Sequence, residues 1–166
     1  LPEESPDYIQ TAYQALHYHA ITTVYLRYAQ AAKLPAPLTG FADGAAQWVL
    51  HRGALGLPDN EVAVVISVSD CTEAWKDKDL AEKIHADIKR VCPDLDKPEA
   101  VRIITEKRAT TAATVDFVQP DFSWLHQRRI YPAGDYLHPR YPATLEAAVQ
   151  SGFAAAEKLM LDLRFE

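Results

Sequence analysis

Two short stretches in the last third of the chain carry residue types that bind ligands. Gly134-Asp135 sets a backbone without a side chain next to a carboxylate, which accepts hydrogen bonds from ligand hydroxyls. Pro142-Ala143-Thr144 then opens a helical pattern, and a helix start presents unpaired N–H groups and a positive dipole end that favour negative charge. Ala143, Ala147, Ala148, Ser151, Gly152, Ala154 and Ala155 keep that helix slim, so it can lie against a sheet or a flat cofactor. A plain strand-loop-helix with a small packing face fits the same residues, and composition does not decide between the two.

Other residues are weighed singly. Trp48 and Tyr25 suit the wall of a long apolar ligand, and equally a strand's core. Arg108, after a strand, reaches either a ligand oxygen or a surface partner such as Glu106. His17 and His19 point the same way if extended, but no third ligand stands at metal spacing, so no metal site is expected. His51 and Arg52 are proton-donor types that no spacing selects. His138, Arg140 and Tyr141 lie in the loop before the last helix, near a cofactor or simply in solvent. Lys76-Asp77-Lys78-Asp79 and Glu82-Lys83 read as a solvated helix face.

These residues need elements to position them. Tyr8, Ile9, Ala12, Tyr13 and Leu16 predict a short amphipathic helix within residues 1–17. From Tyr18 to Tyr28 the period becomes two, with Ala20, Thr22, Val24, Leu26 and Tyr28 on one side and Ile21, Thr23, Tyr25 and Arg27 on the other. Leu38-Thr39-Gly40-Phe41, the turn signal Asp43-Gly44 and Gln47-Trp48-Val49-Leu50 predict a hairpin. Glu61 to Ser69 reads as a central strand. Leu80, Ile84, Ile88 and Val91 form the stripe of a helix that begins at Asp77 or Asp79 and stops at Cys92-Pro93. Val101 to Arg108 alternates again. Ile130 to Asp135 reads as a short strand, and Pro142 as the first turn of a helix running to about Leu163.

The chain has 166 residues, 48% hydrophobic and 24% charged, with net charge −6. This is an ordinary globular composition, and its sign gives no support to a nucleic-acid partner. Cys71 and Cys92 are too few for a disulfide scaffold, which suggests a reducing compartment. No apolar run reaches the ~20 residues of a membrane span, and Leu1-Pro2-Glu3-Glu4 is neither a start nor a secretion signal, so the chain is expected to be part of something longer.

Ala133-Gly134-Asp135-Tyr136, with Tyr141-Pro-Ala-Thr-Leu-Glu-Ala-Ala-Val-Gln-Ser-Gly152, resembles the carboxy-terminal flavin motif of the amine-oxidase and phytoene-desaturase superfamily. Gln47 to Gly53 and Glu106 to Ala113 narrow the resemblance to the squalene-associated FAD-dependent desaturases, the hydroxysqualene dehydroxylases. The likeness implies an α+β chain: an antiparallel substrate-domain sheet with packed helices over 1–128, then over 129–166 a strand-loop-helix completing a Rossmann-like FAD-binding domain. The amino-terminal part of that domain, with its G-x-G-x-x-G turn, is absent from this sequence. The implied function is FAD-dependent redox chemistry on isoprenoid lipids, with reductive dehydroxylation of hydroxysqualene to squalene first. A carotenoid (phytoene-type) desaturase and a stand-alone, non-catalytic binding module are the rivals, and the chain by itself is expected to be inactive.

On this resemblance Gly134, Asp135, Pro142, Ala143, Thr144 and Leu145 are cofactor-binding, and Trp48, Tyr25 and Arg108 line the substrate. An isoprenoid substrate is the implied partner, with a homo-oligomer or pairing with the missing amino-terminal half left open. The implied location is cytoplasmic, with peripheral contact at the inner membrane left open as well.

Overall fold

The alternation of Tyr18–Arg27 becomes strand β1, which buries Ala20, Thr22, Val24 and Leu26 on one face and leaves Ile21, Thr23 and Tyr25 half-covered on the other. The computed structural model describes residues 1–69, 77–114 and 119–164. Cys71 and Lys76 lie outside the described residues. Strands β2 (Leu38–Gly40), β3 (Trp48–His51), β4 (Glu61–Ile66) and β5 (Ala100–Thr111) join β1 in one sheet of order β2-β3-β4-β1-β5. β2 with β3, β3 with β4, and β4 with β1 are antiparallel. β5 is antiparallel to β1 as well: Glu99 N donates to Arg27 O at one end and Ala112 N to His17 O at the other. The predicted α+β class, with an antiparallel sheet and packed helices, is what the chain adopts.

Helix α2 (Asp77–Lys89) covers one sheet face. Its Leu80, Ile84 and Ile88 are almost fully buried against Val24, Leu26, Val49, Val62, Val64 and Ile66. Each such aliphatic side chain stabilises the fold by roughly 1.5–3 kcal/mol. The hairpin is fastened to this helix by one carboxylate, since Asp87 Oδ2 accepts from Ala45 N at 2.7 Å and Ala46 N at 2.9 Å. Gly44, at φ 99°, makes room for it, because a Cβ there would collide with the Asp87 carboxylate. The sheet face opposite α2 carries Tyr25, Ala63, Val65, Trp48, Leu50 and Ile104.

The chain divides into two compact units, His19–Ala109, which contains this core, and Leu1–Tyr18 with Thr110–Glu166. In the second unit, α1 (Asp7–Gln14), α3 (Ser123–His126) and α4 (Leu145–Arg164) fully bury Ile9, Leu125 and Ala147. α3 ends in a Schellman turn: Ile130 N donates to Leu125 O at 3.0 Å and Arg129 N to His126 O at 2.9 Å, with Arg129 at φ 59°.

Two expectations are corrected here. Ile130 to Asp135 forms no strand. The Schellman turn redirects the chain at Arg129, Pro132 lacks a donor, and Gly134 N donates to Ser151 Oγ at 2.9 Å, so the segment is fixed to α4 instead of pairing in a ladder. The last helix begins at Leu145, three residues after Pro142. Ala143 has φ 63°, which no right-handed helix accommodates.

Candidate functional site

Thr144 caps α4. Its hydroxyl accepts from Ala147 N at 3.1 Å and donates to Tyr141 O at 3.0 Å, and its carbonyl accepts from Ala148 N at 3.1 Å. The first two amides, Leu145 N and Glu146 N, have no acceptor among the described residues. Leu145 is 89% exposed, so the approach along the axis is open. Here two N–H donors and the positive end of a 20-residue helix face outward together.

Gly134 and Asp135 pack beside the second turn of the same helix. Ser151, which takes the Gly134 amide, stands six residues into α4, about 9 Å along the axis. The half-buried Asp135 carboxylate makes no hydrogen bond or ion pair among the described residues. A side chain of the protein itself fills the space that the missing Cβ of Gly134 leaves. The Gly134 φ of 170° is ordinary extended backbone, and the Tyr136 ring lies where a Cβ would go, 2.8 Å from Cδ1. Tyr136 is held in turn by Tyr13, the hydroxyls 3.0 Å apart. Burial first, and then this hydroxyl partner, pushes the Tyr136 phenol well above its usual range, so it stays neutral.

Between the residues that follow β5 and the loop before α4 lies a cavity of about 300 Å³, lined in part by Thr111, Ala113, Gln119, Tyr136, Pro139 and Pro142. Gly134, Asp135, Pro142, Ala143, Thr144 and Leu145 therefore all belong to one compact unit. A carboxylate and two outward amides suit a ligand that carries hydroxyls and an electron-rich carbonyl edge.

Tyr25, Trp48 and Arg108 belong to the other unit, and strand parity sets all three on the sheet face opposite α2. Trp48 pairs with Val65, and Tyr25 with Ala63. Thr22 and Thr105, hydrogen-bonded at 2.8 Å on the helix side, put Arg102, Ile104 and Arg108 on the opposite side. Trp48 is 47% exposed and lies over Gly40. Tyr25 is half-buried beneath Arg52, whose guanidinium carbon sits 5.4 Å from the ring centroid while Arg52 Nη1 pairs with Glu61 at 2.7 Å. This corner opens on a hollow of about 510 Å³, lined by Tyr25, Arg27, Arg52, Glu61, Arg102 and Ile104 among others. Arg108 lies at the other end of β5, and its own amide donates to Glu106 Oε1 at 3.1 Å. Apolar ground with arginines at its margins suits a long hydrocarbon that carries a polar group.

Arg52, read as a proton donor, is engaged in its ion pair, and His51 Nε2 is buried with no partner among the described residues. No group of three His, Cys, Asp or Glu among the described residues is arranged to hold a metal ion. No helix of the described residues is long and apolar enough to cross a membrane. The contacts of Tyr13 with Tyr136 and of His138 with Gln150 were not visible in the sequence, since neither pair belongs to a recognisable short motif.

The model of the family "Flavin containing amine oxidoreductase" matches residues 1–160. The hydroxysqualene dehydroxylase of Rhodopseudomonas palustris is 31% identical over 147 residues, 86% of this chain and 33% of that protein. That of Zymomonas mobilis is 30% identical over 145 residues, 84% of this chain and 32% of that protein. The crystal structure of a protein from Exiguobacterium sp. 255-15, assigned as a protoporphyrinogen oxidase, aligns with TM-score 0.55 and 17% identity over 87% of this chain and 36% of its own. At that identity the likeness is one of fold. The chain spans about a third of the length of the two dehydroxylases it matches.

Proposed function

Because the chain belongs to the flavin-containing amine oxidoreductase family, whose cofactor is FAD, we propose that it supplies the flavin-facing helix and a substrate wall of an FAD-dependent oxidoreductase acting on isoprenoid lipids. The reaction we favour is reductive dehydroxylation of hydroxysqualene to squalene. The observation that carries this reading is the pair of unengaged amides, Leu145 N and Glu146 N, on the helix that also fastens Gly134-Asp135. When bound and reduced, the flavin would supply the hydride that replaces the hydroxyl, which leaves as water, and would itself end oxidised. The amides of Leu145 and Glu146 hold negative charge at the electron-rich edge of the ring system, aided by the α4 dipole. Asp135 accepts hydrogen bonds from ribityl hydroxyls. Tyr25 and Trp48 bound the hydrocarbon, and Arg108 faces its departing oxygen.

In this reading residues 1–128 serve the substrate and 129–166 the cofactor. That division by role differs from the division into compact units, because α1 and α3 pack in the same unit as α4. The glycine-rich pyrophosphate turn comes from polypeptide beyond this chain, which is inactive alone, and pairing with that polypeptide is the association we favour over self-association. The location we favour is the cytoplasm, and a lipid substrate would favour peripheral contact with the inner membrane.

The test is product analysis of the protein expressed with the reading frame upstream of Leu1, supplied with hydroxysqualene and, separately, phytoene. Squalene from the first alone supports the proposal. Desaturated product from the second makes it a carotenoid desaturase, and neither product, with no bound flavin, leaves a non-catalytic binding module.

A further inference from the structure

The loop that delivers the chain to α4 is organised by one imidazole. His138 Nδ1 accepts from two backbone amides at once, Arg140 N and Tyr141 N, each at 3.2 Å. Its Nε2 lies 3.0 Å from Gln150 Oε1 on the second turn of α4. An Nδ1 that accepts twice carries no proton, so the ring is the neutral tautomer with hydrogen on Nε2, donating to Gln150. Tyr141 stacks on the imidazole with centroids 3.7 Å apart and donates its hydroxyl to the same Gln150 oxygen at 3.1 Å. Gln150 completes the link by donating from Nε2 to Glu146 Oε1 at 2.6 Å. The loop is thus tied to the residue that carries one of the two free amides, and Tyr141 O accepts from the capping hydroxyl of Thr144.

We infer that His138 is a positioning residue for the flavin. By holding Arg140 N and Tyr141 N it fixes the turn from which Ala143 enters its left-handed conformation, and so sets where Leu145 N and Glu146 N point. The ring does for this turn what an asparagine or aspartate side chain does in an Asx turn, accepting from the amides two and three residues on. Asparagine, whose Oδ1 takes the place of Nδ1, can therefore replace it, and alanine cannot. This inference rests on the flavin reading above and adds a residue that touches neither cofactor nor substrate.

The experiment compares wild type, His138→Asn and His138→Ala in the flavin-loaded full-length protein, with Leu145→Pro as a control that removes a donor amide directly. Three quantities are read: amide exchange at Arg140, Tyr141 and Glu146, the ¹⁵N shifts of the His138 ring, and flavin affinity with its reduction potential. Wild type should show the Nε2–H tautomer. His138→Ala should speed exchange at Arg140 and Tyr141 by about tenfold or more and weaken flavin binding by a factor of about two to ten, as expected for the loss of one or two ordinary hydrogen bonds. His138→Asn should restore both, with the potential of wild type. Equal flavin affinity and potential in wild type and His138→Ala, while Leu145→Pro loses flavin, overturns the inference and leaves the flavin reading standing. Equal damage from His138→Asn and His138→Ala overturns it too, since the accepting atom would not be what matters. Flavin bound by no variant, wild type included, overturns the flavin reading and the inference with it.

Discussion

Ala143 stores strain that a single substitution should release. It sits at φ 63° between Pro142 and the capping Thr144, and its Cβ crowds the following carbonyl in that conformation. The left-handed region costs an ordinary L-residue about 1–2 kcal/mol. Glycine escapes this cost but brings extra freedom to the unfolded chain, which takes back roughly 0.4–1 kcal/mol. Ala143→Gly should therefore raise stability by about 0.5–1 kcal/mol, a rise in midpoint of roughly 1–4 °C for a chain of this size. Ala143→Val should move the other way, because branching at Cβ sharpens the same clash. Urea and thermal unfolding followed by circular dichroism measure both. A lower midpoint for glycine, or valine indistinguishable from alanine, would refute the reasoning and place the helix start elsewhere.

Removing the cap by Thr144→Ala should destabilise the protein by about 0.5–2 kcal/mol, with Thr144→Ser close to wild type, both read by denaturant midpoint. Gly44→Ala should cost at least 1–2 kcal/mol, roughly, since it forces a left-handed residue and displaces the carboxylate of Asp87 from two amides; Asp87→Ala in the same background should then add little. His85, placed 3.3 Å from the hydroxyl of Tyr28, has its pKa held below 6.5 by burial first and then by Lys89 and Lys97. The unfolded chain thus takes up this proton more readily. Stability is complete above pH 6.5 and is lost as pH falls through the lowered folded value, so the unfolding midpoint should drop on that acid side and the drop should shrink in His85→Asn. Equal pH slopes in the two proteins would exclude His85 as the cause.

The sheet was legible because its signals are local and redundant. β1 and β4 alternate cleanly or run β-branched, and Leu80, Ile84 and Ile88 mark one helical stripe, so period and burial agree residue by residue. The last third was harder, since its conformation depends on side chains distant in sequence. Ile130–Asp135 has strand-like composition, yet Ser151 takes the amide of Gly134 and Asp162 accepts from the hydroxyl of Tyr131 at 2.8 Å. Pro142 carries a helix-start signal, but the backbone at Ala143 postpones the helix to Leu145. The residues that the motif resemblance marks as cofactor-binding fall within one compact unit. The resemblance gave no hint that Tyr136 fills the space beside Gly134, or that His138 holds the loop.

The central claim is that α4 offers the amides of Leu145 and Glu146 to a flavin. Hydrogen exchange of the full-length protein, with FAD bound and after its removal, reads those two amides directly. The account predicts slowed exchange at Leu145 and Glu146 on FAD binding, while Ala147 and Ala148, already bonded to Thr144, stay unchanged. Tight FAD binding with no change at Leu145 or Glu146 would contradict it.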